Sequence, residues 1–272
     1  MLALKQALSL SSLKPPIFNP NDVDNLVLWL KFNQLITADE DTDGEPLDPE
    51  HSTALNTMAT GDRINLWADQ TTNNNDATQT ATADKPRWNV FNLAPVTEPL
   101  SVAFDGSQYM DLDSSVSISA NQDFTIVTQV LFEDLTQKAI YGSDASNFFR
   151  INDATGFRNK IGGAGNNNFT EASDTIAVDK WYNIIFSRIN GAAGDLRLYV
   201  DGQGYEDKAW GSTSLEDADA FTINNIGAAD DDTNQLDGVL RNVLIYKTAL
   251  TAAERKDMYI YLNSLIPTSP YA

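Results

Sequence analysis

The fold is decided by Leu196-Arg-Leu-Tyr-Val-Asp-Gly202, followed by Ile223-Asn-Asn-Ile-Gly227 and Leu236-Asp-Gly-Val-Leu-Arg-Asn-Val-Leu-Ile-Tyr246. In the first stretch, apolar residues alternate with Arg197 and Tyr199, which is the period-two pattern of a half-buried strand. Asp-Gly and Gly are turn residues at the ends of the first two stretches. The three stretches therefore predict successive strands joined by short turns, as in an all-β sandwich.

The same strand pattern recurs earlier in the chain, where turn residues separate short apolar runs. Leu26–Phe32 predicts a strand that is buried on both faces, because apolar residues occupy successive positions. Three further runs rich in β-branched and aromatic residues are Phe124–Phe132, Phe148–Ile151 and Lys180–Arg188. This regular spacing indicates one antiparallel β domain rather than alternating helices and strands.

Only the end of the chain predicts a helix. Thr251-Ala-Ala-Glu254 has the spacing of a capping box, and Pro267 stops the helical pattern. The residues that fall on one face of this helix are Met258, Tyr261, Leu262 and Leu265. The sequence therefore predicts a short C-terminal helix with one apolar face.

The composition limits the classes of partner. The chain has 272 residues, near the upper limit for one hydrophobic core, so one main domain is expected. Its 38 acidic and 18 basic residues give a formal charge of −20 at pH 7, which repels phosphate backbones and anionic lipids. We therefore expect neither nucleic acid nor a membrane as a partner.

The residues used in several common sites are scarce. The chain has no cysteine, which excludes disulfides and thiolate zinc sites, and its single histidine, His51, leaves little for a histidine metal cage or a Ser-His-Asp triad. The first residues lack the long apolar core of a secretory signal peptide or of a transmembrane span. We therefore expect neither segment.

Residues 1–22 differ from the rest and are predicted to form an extended N-terminal arm, with the main domain at residues 23–272. The arm has no acidic residue before Asp22, and Pro15-Pro16 and Asn19-Pro20 favour extended backbone. Its apolar side chains are unusual for a solvated tail, and we expect them to anchor a partner or dock on the body. These anchoring residues are Leu2, Leu4, Leu8, Leu10 and Leu13.

Five motifs carry a resemblance to a known family: Leu26–Leu30, Trp67-Ala-Asp-Gln-Thr71, Asn74-Asn-Asp-Ala-Thr-Gln79, Pro86 and Phe104-Asp-Gly106. In this order they resemble the laminin G-like domains of the concanavalin A-like lectin/glucanase superfamily, over most of the chain. The resemblance implies a two-sheet antiparallel jelly-roll sandwich. The superfamily includes lectins, glycosidases and adhesion modules, so the fold alone does not define the function.

The resemblance also gives an expectation about catalysis. Sandwich glucanases of the superfamily carry two carboxylates about 5 Å apart, presented from one strand as Glu-x-Asp-x-x-Glu. This spacing does not occur in the sequence, and Glu216-Asp-Ala-Asp219 comes nearest. We therefore expect no catalytic residues and no enzymatic activity; a glycosidase is the third alternative, because carboxylates from different strands are able to converge. Relatives also carry acidic residues in the long strand before the helix, where this chain has Arg241 and Asn242, so the role of those acids is not carried over to this chain.

A binding site is predicted from loop residues at one rim of the sandwich. Asp201, Asp230, Asp231 and Asp232 supply hard oxygen ligands, so Ca²⁺ is the candidate cofactor. Trp88, Tyr205 and Trp210 are candidate rings for stacking on a glycan. The competing interpretation is structural, because Asp runs also cap turns and Trp residues also fill the core of a sandwich.

The arm together with a laminin G-like body resembles virion proteins of tailed phages. The first functional expectation is a non-enzymatic virion structural protein, either a capsid decoration or a tail-associated component, located in the virion. Its partners are then other virion proteins and surface glycans, with a homo-oligomer as a further expectation. The alternative is a calcium-dependent, lectin-like carbohydrate-binding module.

Overall fold

A computed structural model describes residues 18–32, 36–40, 61–89, 92–93, 96–97, 101–163, 165–170, 175–191, 193–201, 215–230 and 234–265. Within these ranges the chain is β-rich, with one α-helix near the end and two short 3-10 turns. No helix in the described ranges is long and apolar enough to cross a membrane.

The strands of the first half are short. They are β1 Leu26–Lys31, β2 Ile36–Glu40, β3 Arg63–Trp67, β4 Ala77–Thr78, β5 Arg87–Asn89, β6 Asn92–Leu93, β7 Val96–Thr97, β8 Ser101–Asp105 and β9 Met110–Ile118. The 3-10 turns are Pro20–Asp22 and Thr82–Asp84.

The second half contains longer strands and the helix. They are β10 Phe124–Phe132, β11 Lys138–Asp144, β12 Asn147–Asp153, β13 Gly156–Lys160, β14 Asn167–Thr170, β15 Trp181–Ile189, β16 Asp195–Asp201, β17 Leu215–Glu216, β18 Phe221–Ile226, β19 Asp237–Tyr246 and α1 Ala252–Leu265.

The paired strands are antiparallel and form two runs. The first run is β1, β19, β10, β15, β16 and β17, and the second is β9, β18, β11, β12, β13 and β14. Strands β4, β3, β5 and β8 join β9 to β19. Strand β2 pairs with β3, so the described strands include one hydrogen-bonded network of 17, nearly closed into a barrel-like sandwich. The all-β, antiparallel part of the sequence prediction is confirmed.

The two runs meet across a core of aromatic rings. Phe149 of β12 stacks on Phe186 of β15, with ring centroids 4.9 Å apart, and on Phe157 of β13 at 5.6 Å. Phe124 of β10 lies 5.9 Å from Phe221 of β18. These rings are almost fully buried, and their packing across the core holds the two runs face to face.

Helix α1 packs on the outer face of the first run. Its Met258, Tyr259 and Leu262 are fully buried in a second cluster that includes Tyr199 and Leu244 from the strands. Thr251 and Glu254 form the predicted capping box, since Glu254 Oε2 accepts a hydrogen bond from Thr251 N and Thr251 Oγ1 accepts one from Glu254 N. The predicted helix is therefore confirmed.

Buried amides fix the helix to the sheet. Gln129 of β10 donates through Nε2 to Leu262 O at 2.9 Å and to Asn183 Oδ1 at 3.1 Å, and its Oε1 accepts from Asn242 Nδ2 at 3.0 Å. Asn183 also donates to Asn263 Oδ1. Because buried amides are costly when unpaired, this network favours one seating of the helix.

The described end of the predicted arm lies on the body beside the helix. Pro20 is buried and its carbonyl accepts a hydrogen bond from the Tyr246 hydroxyl at 3.1 Å. The Phe18 ring meets Tyr261 edge-on at 6.2 Å. The anchoring leucines Leu2, Leu4, Leu8, Leu10 and Leu13 lie outside the described residues, and their role stays a prediction.

The contact between Gly142 of β11 and the segment after β18 provides a test of this packing. A Cβ at Gly142 lies 2.5 Å from Ala229 O and 2.8 Å from Asn147 O, both backbone atoms. We expect Gly142→Ala to destabilise the fold by about 1–3 kcal/mol and to lower Tm, measured by thermal denaturation. The control is Gly165→Ala, where no atom lies within 4 Å of the added Cβ. Equal Tm values for the two variants would contradict this packing.

Candidate functional site

The outer face of the second run is not covered by α1, and strand alternation places polar side chains on it. On β12, Phe149 and Ile151 point into the main core, so Phe148, Arg150 and Asn152 point outward. On β13, Phe157 belongs to the same core, which places its neighbour Arg158 on the outer face. Two consecutive strands therefore present an arginine on the same side.

Strand register puts these side chains in one row. Arg150 is directly opposite Arg158 in the β12–β13 pair, and Arg158 is directly opposite Asn168 in the β13–β14 pair. Opposite side chains on one face of an antiparallel pair have Cβ atoms about 4.5–5.5 Å apart. We call Arg150, Arg158, Asn168 and the adjacent Asn152 the arginine patch.

An open depression of about 290 Å³ adjoins the patch. This volume is close to the lower end of the range of ligand sites, roughly 300 Å³, and suits a small polar group. The polar residues that line it are Asn152, Asp153, Thr155, Arg158, Asn168 and Thr170. The wall thus offers hydrogen-bond donors and acceptors from three neighbouring strands and one turn.

Arg150 is unusual because it is a largely buried guanidinium with an unpartnered N–H group. It is only 8% exposed, and its Nε finds no hydrogen-bond partner in the described part of the chain. Its guanidinium carbon lies over the Phe148 ring, 5.0 Å from the ring centroid, and this contact gives Nε no hydrogen-bond acceptor. Burial, and then the charge of Arg158, lower the pKa of Arg150 from its ordinary value. The site therefore has a desolvated cation beside a second cation.

Arg158 is held in a fixed orientation. Its Nε donates to Asn168 Oδ1 at 2.7 Å, and the side chain contributes to the wall of the depression. Asp153 lies at the edge and accepts hydrogen bonds from Thr155 N and Oγ1 at 2.8 and 2.7 Å. The side chain and backbone of Thr155, then Asn152 and Arg158, lower the pKa of Asp153.

The segment after β18 borders the patch on its other side. Ala229 packs with Ala139 and Phe148 in a small cluster, and Ala139 N donates to Asn234 O at 2.6 Å. Ala139 is also directly opposite Arg150 in the β11–β12 pair. The crossing segment therefore fixes the neighbours of Arg150 and helps to bury it.

A second group of polar residues lies at one rim, where β10 ends and β19 begins. We call it the acidic rim, and it consists of Asp105, Glu133, Asp134, Asp179 and Asp237. Asp134 forms an ion pair with Lys138 at 3.3 Å. Asp105 belongs to the Phe104-Asp-Gly106 motif and caps its turn by accepting from Ser107 N and Oγ.

Two carboxyl groups of the acidic rim have raised pKa values. Burial, followed by the charges of Asp237 and Asp179, raises the pKa of Glu133. Burial also raises the pKa of Asp237; Lys138 opposes this shift, whereas Asp134 and Asp105 add to it. A carboxyl group that holds its proton more tightly is suited to act as a general acid.

The acidic stretch nearest to a catalytic spacing is a structural corner. Arg188 is fully buried and donates to the carbonyls of Asp217, Asp219, Ser119 and Gln122. The Asp217 carboxylate accepts hydrogen bonds from Asn167 Nδ2 and Asp219 N. The stretch Glu216-Asp-Ala-Asp219 therefore has a structural role, because Arg188 of β15 binds its carbonyls together with those of the loop that precedes β10.

The predicted calcium ligands are only partly described. Asp230 follows the segment that packs on β11 and β12, whereas Asp201 ends β16 in the other run. The Asp201 side chain, Asp231 and Asp232 lie outside the described residues. Among the residues that are described, no three His, Cys, Asp or Glu side chains are grouped to hold a metal. The calcium site stays a prediction.

The predicted stacking role of Trp88 is wrong. Trp88 is fully buried in the main core, where β5 pairs with β8, and a buried ring offers no face to a sugar. Tyr205 and Trp210 lie outside the described residues.

Sequence reasoning missed Arg150 and Arg158. Their signal is the repeated pair Phe149-Arg150 and Phe157-Arg158, in which an inward aromatic residue precedes an outward arginine on each of two successive strands. The cross-strand register that aligns the arginines is a property of the β12–β13 hairpin.

The fold is an antiparallel, barrel-like β-sandwich whose second run carries the arginine patch and the adjoining depression. Residues 104–254 match a laminin G family model described as concanavalin A-like lectin/glucanases superfamily, and the chain belongs to this family. No curated protein sequence matches the chain.

Three solved structures with a similar fold are a domain of an arabinanase, an arabinofuranosidase and a sialidase. Domain 4 of AbnA, a GH43 extracellular arabinanase from Geobacillus stearothermophilus solved with arabinotriose, is similar over 86% of this chain and 98% of its own, with 13% identity and a TM-score of 0.50. An arabinofuranosidase complexed with arabinofuranosyl-alpha-1,2-xylobiose is similar over 89% and 61%, with 10% identity and a TM-score of 0.57.

A third similar structure is Trypanosoma rangeli sialidase in complex with 2,3-difluorosialic acid, with 14% identity and a TM-score of 0.51. The match covers 90% of this chain but only 34% of the sialidase. These similarities overturn the expectation that the chain is not an enzyme, because the fold occurs within glycoside hydrolases. At such identities they show the fold alone.

The raised pKa of Glu133 predicts a pH-dependent stability difference. Its folded-state pKa lies above the ordinary value of 4.5, so ionised Glu133 disfavours the folded state at pH 7. This cost disappears as the pH falls below the ordinary value, because Glu133 is then protonated in both states. We expect Glu133→Gln to raise Tm at pH 7 and to match the unmodified protein near pH 3, measured by thermal denaturation across pH.

Asp22→Asn, on the exposed first 3-10 turn, controls for the loss of one negative charge. A Glu133→Gln protein that is less stable at pH 7, or whose Tm difference does not change with pH, would contradict the raised pKa.

Proposed function

We propose that this protein binds carbohydrate through the arginine patch and the adjoining depression. The observation that carries this proposal is the row of Arg150, Arg158 and Asn168 on three paired strands. Guanidinium and amide groups form directional hydrogen bonds to the oxygens of a sugar, and a sheet holds them at fixed spacing. The depression admits one small polar unit beside them.

The architecture supports this location. We propose that the two strand runs are the two sheets of a jelly roll, with α1 on the outer face of the first. The helix buries Tyr199 and Leu244 there, so the part of this face under the helix is closed to a ligand. On the described outer face of the second run, Asn168 and Thr170 of β14 are exposed and Arg158 of β13 is partly exposed, whereas Phe148 and Arg150 of β12 are buried. The glycan site is therefore proposed on the second sheet.

The arabinanase domain adds support from a similar fold. Its structure was solved with arabinotriose, and the similarity covers nearly that entire domain. A domain of about the size and fold of this chain therefore occurs within a carbohydrate-active enzyme and has been solved with a bound sugar. Arabinotriose, a neutral sugar, is the ligand in the structure of the arabinanase domain and does not identify the ligand of this chain. The class of sugar that this chain binds is inferred from its own residues.

Glycoside hydrolysis at the acidic rim is a second candidate function. It is favoured by the raised pKa values of Glu133 and Asp237, since a general acid must hold its proton near the working pH. Release of p-nitrophenol from arabinofuranoside and xyloside substrates tests it. Activity that disappears in Asp237→Asn would support this candidate, and no activity in the unmodified protein would remove it.

A place in a phage particle and a partner-anchoring arm remain compatible with glycan binding. An outward-facing jelly roll on a capsid or tail is able to adhere to surface glycans. Both ideas stay predictions, and other virion proteins or a second copy of the chain stay predicted partners.

Glycan-array binding of the full chain tests the proposed function. We expect binding to a defined set of glycans, and a loss of about tenfold or more in affinity for Arg158→Ala, because charge-assisted hydrogen bonds are lost. Arg197→Ala on β16 is the matched control, since it removes a half-buried arginine from the other run. No binding to any glycan, or equal losses in both variants, would contradict the proposal.

Calcium dependence is the alternative version of the same function. Because the arginine patch needs no metal, we expect EDTA to leave glycan binding and Tm unchanged. Two results would support the calcium-dependent module instead. Calcium would raise Tm by mass action, and this rise would be lost in the triple variant Asp230→Asn, Asp231→Asn and Asp232→Asn.

A further inference from the structure

We infer that the arginine patch selects glycans that carry a single carboxylate, such as one uronic acid unit on an otherwise neutral chain. This inference rests on the proposed carbohydrate-binding function and names the class of sugar. It follows from the pairing of two arginines on one sheet face, one of them more than nine-tenths buried without a hydrogen-bond partner at Nε.

The burial of Arg150 calls for an anion. A guanidinium has five N–H donors and no acceptor, and it stays charged in proteins. Burying such a group without a partner is costly, whereas a bound anion compensates it. Arg150 finds no carboxylate partner in the described part of the chain, and the Phe148 ring contacts its guanidinium at 5.0 Å. An incoming anion therefore supplies the missing partner.

The second arginine strengthens the case for a carboxylate. Arg158 stands directly opposite Arg150, and two like charges side by side repel each other. An anion placed between them removes this repulsion. A planar carboxylate has two oxygens, which match the forked donors of arginine and allow one oxygen to meet each guanidinium.

Polar groups around the arginines suit the neutral part of a sugar. Asn152 lines the depression, and its buried Oδ1 has no hydrogen-bond partner among the described residues, so a sugar hydroxyl that reached it would satisfy this acceptor. Asn168 and Thr170 are exposed along the depression and add an amide and a hydroxyl. A bare inorganic anion would leave these amide and hydroxyl groups unused, whereas a uronic acid engages the arginines with its carboxylate and the polar groups with its hydroxyls.

The surrounding charge disfavours a polyanion. The chain carries a formal charge of −20, which repels a second and third negative group on the same ligand. Asp153 stands at the edge of the depression and adds local repulsion on that side. Two arginines in an acidic protein therefore match one carboxylate on a neutral chain better than heparin-like or pectate-like polymers.

Titration calorimetry with matched oligosaccharides tests this inference. The first probe is a xylo-oligosaccharide with one glucuronic acid, and the second is the same compound with that carboxyl reduced to an alcohol. The third and fourth probes are the sulfated analogue of the first compound and polygalacturonate. At constant ionic strength, we expect the uronate to bind about tenfold or more tightly than the reduced compound, because it forms charge-assisted hydrogen bonds.

Variants connect the preference to the patch. We expect Arg150→Gln and Arg158→Ala each to reduce the ratio of uronate to neutral affinity towards one, while Arg197→Ala keeps it. Arg150→Lys keeps the charge at the buried position if Arg150→Gln does not fold, and it should retain part of the preference. A preference that survives in Arg158→Ala would overturn the inference.

The outcomes separate this inference from the proposed function. Equal binding of the uronate and reduced probes overturns the acidic selectivity and leaves carbohydrate binding intact. Equal or tighter binding of the sulfated or polyanionic probe overturns the selectivity for a single carboxylate. Absence of binding to these probes and to the whole glycan array overturns both.

Discussion

The position of β10 between β15 and β19 is the constraint on which the rest of the molecule depends. All nine residues of β10 are buried, because aromatic rings of the second run cover one of its faces and α1 helps to cover the other. Inward side chains such as Phe124 join the main core, whereas Val127 joins the cluster under the helix. The central strands thus belong to two cores at once.

This double burial decides where a ligand has access. The helix occupies the outer face of the first run, fixed by the amides of Gln129 and Asn183 as well as by apolar contact. In the described ranges no helix covers the outer face of β12, β13 and β14, although Phe148 and Arg150 of β12 are buried there. Arg158, Asn168 and Thr170 are the more accessible polar side chains on that face.

The two polar regions differ in how they use charge. At the acidic rim, burial raises the pKa of Glu133 and Asp237, neighbouring carboxylates add to both shifts, and Lys138 opposes the shift of Asp237. At the arginine patch, no described carboxylate pairs with Arg150, although the chain has an excess of acidic residues. Burial of Arg150 beside a second cation, with Nε unpartnered, costs stability through desolvation and repulsion, and such local costs are typical of functional sites.

Much of the fold is predictable from local sequence. The alternation in Leu196–Val200 correctly assigns Leu198 to the main core, and Thr251 and Glu254 mark the start of the helix. The same alternation predicts a solvated outer side, yet Tyr199 is only 8% exposed because the helix covers it. Periodicity identifies the two faces of a strand, but the element that packs on each face comes from distant sequence.

The candidate site is less predictable for the same reason. Trp88 has the residue type of a sugar platform, but strand pairing buries it in the core, whereas Arg150 and Arg158 become neighbours only through the register of β12 and β13. The sequence by itself determined the antiparallel β class, the capped helix and the acidic charge, because these depend on local pattern and composition. The tertiary structure decided which face stays open and which side chains share it, because these depend on contacts between residues far apart in the chain.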